Sequence, residues 1–190
     1  MKIAILGWGS LIWEQGDLLI IGKWQTGGPK LPIEFSRISD KRSRALTLVI
    51  NPDFGELVST RFAISKRKNL DDVICDLRIR EGTLVKYIGF VNLLDGTERS
   101  NVYPEASHII RKWALNMDYD AVVWTDLPSN FQKEIQKPFS ILEAVNYLQA
   151  LPEDGARKAR EYIDKAPTEI NTPLRKKLSD ISWLTNSIKK

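Results

Sequence analysis

The feature that most constrains this chain is an uninterrupted apolar run near its start, Ile3-Ala4-Ile5-Leu6, which ends in Gly-Trp-Gly-Ser. A short apolar run bounded by turn residues is typical of a buried strand. Glycine adopts backbone angles that other residues resist, so Gly7 and Gly9 predict a tight loop after that strand. Consecutive N–H groups turned the same way in such a loop form an anion-binding nest. We therefore interpret residues 7–11 as a binding loop and the remaining chain as the scaffold that closes around it.

Two common phosphate-binding motifs are excluded at this loop. A dinucleotide-binding Gly-x-Gly-x-x-Gly would need a third glycine where the chain has Ile12. A Walker loop would need Gly-Lys followed by Ser or Thr, and the chain has no such tripeptide. A bare Gly-x-Gly-Ser also occurs where a core strand simply ends in a turn, so this simpler interpretation stays open.

Length and composition indicate an ordinary globular protein. The 190 residues fit a single domain, in which we expect a core over residues 1–130 and a helical C-terminal extension over 131–190. The apolar fraction of 43% and the charged fraction of 27% are unremarkable for such a domain. The net charge of +4 allows an anionic ligand but does not by itself favour nucleic acid.

The cysteine and histidine content bounds the chemistry. Cys75 is the only cysteine, which excludes an internal disulfide and indicates a reducing compartment. With His108 as the only histidine, the chain lacks the ligands for a zinc site, and we expect neither metal nor cofactor. No apolar stretch approaches the length of a membrane span, and we expect a cytoplasmic protein. We expect Cys75 to be a buried, inert thiol and His108 to have a structural or exposed role.

Alternating and β-branched residues predict strands mainly in the first half of the chain. The predicted strands are 3–6, 33–38, 45–50, 56–64, 83–94 and 121–124. Segments 45–50 and 56–64 flank a Pro–Gly turn, so we predict that they pair as a hairpin. Residues 14–31 are predicted to form a loop with at most a short element of secondary structure.

Helical spacing appears between and after these strands. The predicted helices are 70–80, 105–117, roughly 140–150, roughly 153–165 and a segment from Thr172. Asn69 is placed to cap the first of them, and Gly82 to end it. Because strands cluster first and do not alternate regularly with helices, we predict an α+β fold with a mixed or antiparallel sheet that could close as a small barrel.

Glu81 is the candidate for proton transfer. It lies where the first predicted helix gives way to the strand that follows, a position from which a side chain can point across the end of a sheet. A carboxyl group that enters a pocket lined by aromatic residues is suited to general acid/base catalysis. The alternative is a solvated residue of the last helical turn that pairs with a basic neighbour.

The stretch Gly7-Trp8-Gly9-Ser10-Leu11-Ile12-Trp13 resembles the Gly-Tyr-Gly-Ser-Leu-(Met/Ile)-Trp stretch of the ChaC-type γ-glutamyl cyclotransferases. Arg80-Glu81 resembles the Arg-Glu that supplies the catalytic glutamate of that family. The resemblance covers about residues 3–95. It departs from the family pattern at Trp8, which stands for the usual tyrosine, and after Gly82, where Thr-Leu-Val replaces Lys-Gly-Gly-Tyr.

This resemblance implies a γ-glutamyl cyclotransferase-like fold, a small β-barrel with flanking helices, and a specific reaction. The α-amine of a γ-glutamyl substrate attacks its own side-chain carbonyl and releases 5-oxoproline, without metal or cofactor. Glu81 would be the general acid/base, and Gly7, Trp8, Gly9, Ser10 and Leu11 would bind the substrate.

Other functions stay open at this point. The chain could be a non-catalytic protein that keeps the pocket and binds a small acidic metabolite. Nucleic-acid binding through the basic turn of residues 37–44 is disfavoured, because only Phe35 lies near it as a stacking residue. In that turn Arg37, Lys41, Arg42 and Arg44 would usually form a solvated face, although one arginine could reach a substrate carboxylate. The sequence also leaves a homodimer open.

Overall fold

The computed structural model describes residues 1–183, which form two units, each with its own sheet. The first unit consists of Met1–Leu31 and Ser59–Leu127, and the second of Pro32–Val58 and the described residues from Pro128 on. Of the helical segment predicted from Thr172, only the part after position 183 lies outside the described residues.

Nine strands and six α-helices lie in the described part of the chain. The strands are β1 (Ile3–Gly7), β2 (Ile20–Gln25), β3 (Lys30–Ser39), β4 (Ala45–Ile50), β5 (Glu56–Ser59), β6 (Arg61–Ser65), β7 (Ile88–Asn92), β8 (Glu98–Arg99) and β9 (Ala121–Thr125). The helices are α1 (Leu70–Glu81), α2 (Glu105–Asn116), α3 (Phe131–Ile135), α4 (Ile141–Gln149), α5 (Glu153–Lys165) and α6 (Pro173–Asp180).

The first unit is built on a six-stranded mixed sheet in the order β2-β6-β1-β9-β7-β8. The N-terminal apolar run forms β1, which lies inside this sheet, antiparallel to β6 and parallel to β9. Every residue of β1 is buried, as expected of a strand with a neighbour on each side and both faces covered. Ile3 and Ile5 belong to the same core cluster as Leu77 of α1.

Helix α1 begins and ends at the predicted signals. The side chain of Asn69 accepts a hydrogen bond from the Asp72 amide at 3.2 Å, which confirms the predicted cap. Gly82 adopts a left-handed conformation with φ of 62°, and its amide donates to the Ile79 carbonyl at 3.0 Å. Such a conformation suits glycine and ends the helix directly after Glu81.

The second unit contains a three-stranded sheet in the order β4-β3-β5, together with α3 to α6. Helix α5 packs on β4, and the ring of Tyr162 in α5 meets Phe35 of β3 edge to face, with centroids 6.2 Å apart. The fold is therefore mixed α+β, as the order of elements predicted.

The predicted closed barrel is wrong for the described residues. Strands β2 and β8 each pair on one side only and leave the six-stranded sheet open. The other three strands form a separate sheet. An alternating pattern identifies a strand but carries no information about its partners, so it could not show where a sheet ends.

Two other predictions about strands are corrected. Residues 56–64 do not pair with 45–50, because the segment divides at Thr60 into β5, which joins β3, and β6, which joins β1 and β2. Thr60 leaves the ladder because its amide and hydroxyl both donate to the Pro29 carbonyl, at 3.2 and 2.8 Å. The long strand predicted over 83–94 is only β7, since a 3-10 turn occupies Val85–Tyr87.

None of the helices within residues 1–183 combines the length and the apolar character needed to span a bilayer.

A buried carboxyl group joins β3 to α6 in the second unit. Glu34 is fully buried, and its carboxyl accepts hydrogen bonds from the Thr172 hydroxyl at 2.6 Å and the Leu174 amide at 3.1 Å. The Phe35 amide donates to it as well, at 2.6 Å. Burial raises the pKa of Glu34 from its ordinary 4.5 to about 7, although these three donors act in the opposite direction.

We predict that the second unit loses stability as the pH rises through 7. In the unfolded chain Glu34 ionises near its ordinary pKa of 4.5, whereas the folded protein keeps the proton up to about 7. The folded state therefore binds more protons in this window, and the free energy of unfolding falls by about 3 kcal/mol across it. Urea unfolding at pH 4.5, 6 and 8 measures this slope.

The Glu34→Gln variant should lose this part of the pH dependence, because the amide does not titrate. Glu143→Gln is the control, since Glu143 is a carboxylate of the same unit that pairs with Lys137 at 2.9 Å. Equal pH slopes in Glu34→Gln and in the wild type would contradict the prediction.

Candidate functional site

The loop after β1 is a tight turn closed by backbone hydrogen bonds between residues three and four positions apart. The Gly9 carbonyl accepts from the Ile12 amide at 3.0 Å, and the Ser10 carbonyl accepts from the amides of Trp13 and Glu14 at 3.2 and 2.7 Å. Among residues 1–183, no backbone carbonyl accepts a hydrogen bond from the amides of Gly9, Ser10 or Leu11. Three successive amides without a backbone partner are suited to holding an anion or a polarised oxygen.

Gly7 is required by packing and not by an unusual backbone angle. Its φ lies outside the left-handed region, contrary to what the glycine suggested. A Cβ at this position would lie 2.7 Å from Cζ3 and 3.0 Å from Cη2 of Trp24 in β2. The last residue of β1 therefore has to be glycine so that the indole can pack against the strand.

The loop side chains are mostly used for packing. Trp8 and Leu11 are buried, and Leu11 belongs to the core cluster of the first unit. Ser10 is half-buried and presents a polar group. The groups of this loop that can serve a ligand are therefore its amides and the Ser10 hydroxyl.

Arg80 connects the two predicted motifs within the first unit. Its Nη2 donates to the Ser10 hydroxyl oxygen at 3.3 Å, and its Nη1 to Oε1 of Glu81 at 2.6 Å. Its Nε and Nη2 both donate to the Glu14 carbonyl, at 3.1 and 2.5 Å. Ser10 and Arg80 are 70 residues apart in the sequence. The hydrogen bonds of Arg80 thus join the loop and the Glu81 carboxylate in one hydrogen-bonded group.

The pair of Arg80 and Glu81 is largely shielded from water. The side chains are 12% and 16% exposed, so the pair is neither a solvated surface contact nor a fully desolvated one. A charge-assisted hydrogen bond of this length holds the carboxyl group of Glu81 in one orientation. A carboxylate held in a fixed orientation can serve in proton transfer with a nearby group.

The only histidine and the only cysteine of the sequence lie outside the hydrogen-bonded group of Ser10, Arg80 and Glu81. His108 is exposed on α2. Cys75 is exposed on α1, which corrects the expected buried thiol, because the position faces away from the stripe formed by Val73, Ile74 and Leu77. Within residues 1–183, no three His, Cys, Asp or Glu side chains gather as a metal site.

The basic turn belongs to the second unit, and two of its arginines bind the protein itself. Arg44 pairs with Asp40 at 3.1 Å and with Glu134 at 3.0 Å. Arg37 donates to the Pro128 carbonyl at 2.7 Å. Arg44 and Arg37 therefore make contacts that stabilise the protein itself.

Neither the contacts of Arg80 nor its anchoring by the Glu14 carbonyl was predicted from the sequence. The position of Arg80 directly before Glu81, which is part of the family resemblance, was the one signal that pointed to it. The contact with Trp24 was likewise not predictable, because Gly7 and Trp24 lie in strands separated by β6.

No protein-family model matches the sequence, and neither a curated protein nor a solved structure shows significant similarity to it.

We predict that Gly7→Ala destabilises the protein by about 1–3 kcal/mol, because the added methyl group overlaps the Trp24 ring. Chemical unfolding of the purified variant measures this loss. The same substitution in a Trp24→Leu background provides the control, since the smaller side chain leaves room for a methyl group. An equal penalty in both backgrounds would show that Trp24 is not the cause.

Proposed function

We propose that the protein is a γ-glutamyl cyclotransferase-like enzyme that releases 5-oxoproline from a γ-glutamyl peptide or amine. The observation that carries this proposal is the hydrogen-bonded chain from Ser10 through Arg80 to Glu81. It brings an amide-rich loop and one shielded carboxylate together, and these are the two parts that such a reaction requires.

The reaction needs one proton acceptor and a substrate folded on itself. The α-amino nitrogen of the substrate forms a bond to the γ-carbonyl carbon, and the bond from that carbon to the leaving nitrogen then breaks. Glu81 takes a proton from the attacking amine and returns it to the leaving nitrogen, so no water is consumed and the carboxylate is regenerated. Holding amine and carbonyl in contact replaces an encounter between molecules by an intramolecular step.

The loop would stabilise the oxygens of this substrate. As the amine attacks, negative charge develops on the γ-carbonyl oxygen, and preorganised donors stabilise that charge without having to reorient. The amides of Gly9, Ser10 and Leu11 would donate in this way, and this is supported by the fact that no backbone carbonyl among residues 1–183 accepts a hydrogen bond from them. The Ser10 hydroxyl adds a further polar group at the same place.

The proposal extends to the detailed fold, the location and the partners of the protein. The core would share the γ-glutamyl cyclotransferase-like arrangement of sheet and helices without its closure into a barrel, and the protein would work in the cytoplasm. Its partner would be a small γ-glutamyl molecule, and neither a membrane nor a nucleic acid would take part.

A second candidate is a non-catalytic protein that binds a small acidic metabolite at the same loop. The observation in its favour is that Glu81 Oε1 already accepts from Arg80 at 2.6 Å, as in many structural ion pairs. In that case the protein would bind γ-glutamyl compounds without converting them.

We predict that the wild type releases 5-oxoproline from members of a panel of γ-glutamyl peptides and amines. Glu81→Gln should lower the rate by about 10²–10⁴-fold, because the amide cannot carry the proton between the two nitrogens. Chromatographic detection of 5-oxoproline measures the rate, and isothermal calorimetry measures binding.

Glu98→Gln is the matched control, since Glu98 is also a carboxylate paired with an arginine in the first unit, at 2.7 Å from Arg111. Its rate should equal that of the wild type. Equal rates in wild type and Glu81→Gln would remove Glu81 from the mechanism, and binding without any release would favour the second candidate.

A further inference from the structure

We propose that Arg80 is a positioning residue that sets the relation between the Ser10 hydroxyl and the Glu81 carboxylate. This inference rests on the proposed function and assigns a role to a side chain for which the sequence suggested none. Arg80 acts through these two groups, and no bond of the substrate forms or breaks at its own atoms.

The hydrogen bonds of Arg80 use most of its donor capacity. A guanidinium has five N–H groups in a planar fork. Four of them are used, because Nε donates to the Glu14 carbonyl, Nη2 to that carbonyl and to Ser10, and Nη1 to Glu81. Arg80 is therefore unsuited to binding a substrate carboxylate in bidentate fashion, and its geometry serves to connect parts of the protein.

The rigidity of the fork transmits position from one part to another. Because the three nitrogens share one plane, the Glu14 carbonyl and the Ser10 oxygen fix the direction from which Nη1 approaches Glu81. A lysine carries the same charge on a single nitrogen and cannot hold three acceptors at these separations.

The same contact orients the Ser10 hydroxyl. Its oxygen accepts a hydrogen bond from Arg80 Nη2 at 3.3 Å, so its own proton points away from the guanidinium. A hydroxyl can donate one hydrogen bond while it accepts another. Ser10 is thus held as a donor toward an oxygen of the γ-glutamyl substrate, beside the amides of the loop.

The test compares Arg80→Lys and Arg80→Ala with the wild type in the 5-oxoproline assay. We expect kcat to fall by about 100-fold in both, because a displacement of about 1 Å in a catalytic group has this effect, while KM changes by less than about threefold. Guanidinium ions at millimolar concentration should restore part of kcat in Arg80→Ala but not in Glu81→Gln, which a purely structural role of Arg80 would not produce.

Arg78→Ala is the matched control, since Arg78 lies in the same last turn of α1 and should leave kcat and KM unchanged. Thermal unfolding of each variant verifies the fold, and Arg80→Lys provides the result if Arg80→Ala does not fold. An active wild type with kcat within twofold in Arg80→Lys would overturn the positioning role and leave the proposed function intact. A wild type that releases no 5-oxoproline from any substrate would overturn both.

Discussion

The geometry of the first unit's candidate site depends on the hydrogen bonds of one guanidinium. Arg80 is only 12% exposed, and an arginine that is withdrawn from water needs acceptors for its N–H groups. The Glu14 carbonyl, the Ser10 hydroxyl and the Glu81 carboxylate provide them. A change in the loop after β1 would therefore leave largely shielded donors unpaired, so the loop and the end of α1 are held in one arrangement.

The second unit also holds an ionisable group away from water, and there the group is an acid. Glu34 is buried in β3 and receives hydrogen bonds from Thr172 and Leu174 at the start of α6. In both units an ionisable group joins an element to a segment distant in sequence, and this group is largely shielded at Arg80 and fully buried at Glu34. They differ in that Arg80 has a charged partner, whereas Glu34 has only neutral donors and burial outweighs them in setting its pKa.

Local signals in the sequence were sufficient where one segment determines its own structure. Asn69 and Gly82 predicted both ends of α1, because capping and a left-handed backbone depend on a few adjacent residues. Strand pairing was not predictable in the same way. Thr60 divides the alternating segment after residue 55 by binding the Pro29 carbonyl, a contact that no local pattern contains. The hydrogen bond from Arg80 to Ser10 also depends on the tertiary fold. The sequence therefore predicted the two motifs but not the contact that connects them.

The distribution of charges at the site bears on the choice between an enzyme and a binding protein. Cyclisation of a γ-glutamyl group leaves the proton count unchanged, since the proton lost by the attacking amine is returned to the leaving nitrogen. One carboxylate can therefore serve the whole reaction. A protein that only retains an acidic metabolite could hold it by the loop amides, since the arginine of this group has already committed four of its five N–H groups to the protein. This allocation gives Arg80 a role in connecting the loop to Glu81 and leaves it one N–H group for an acidic ligand.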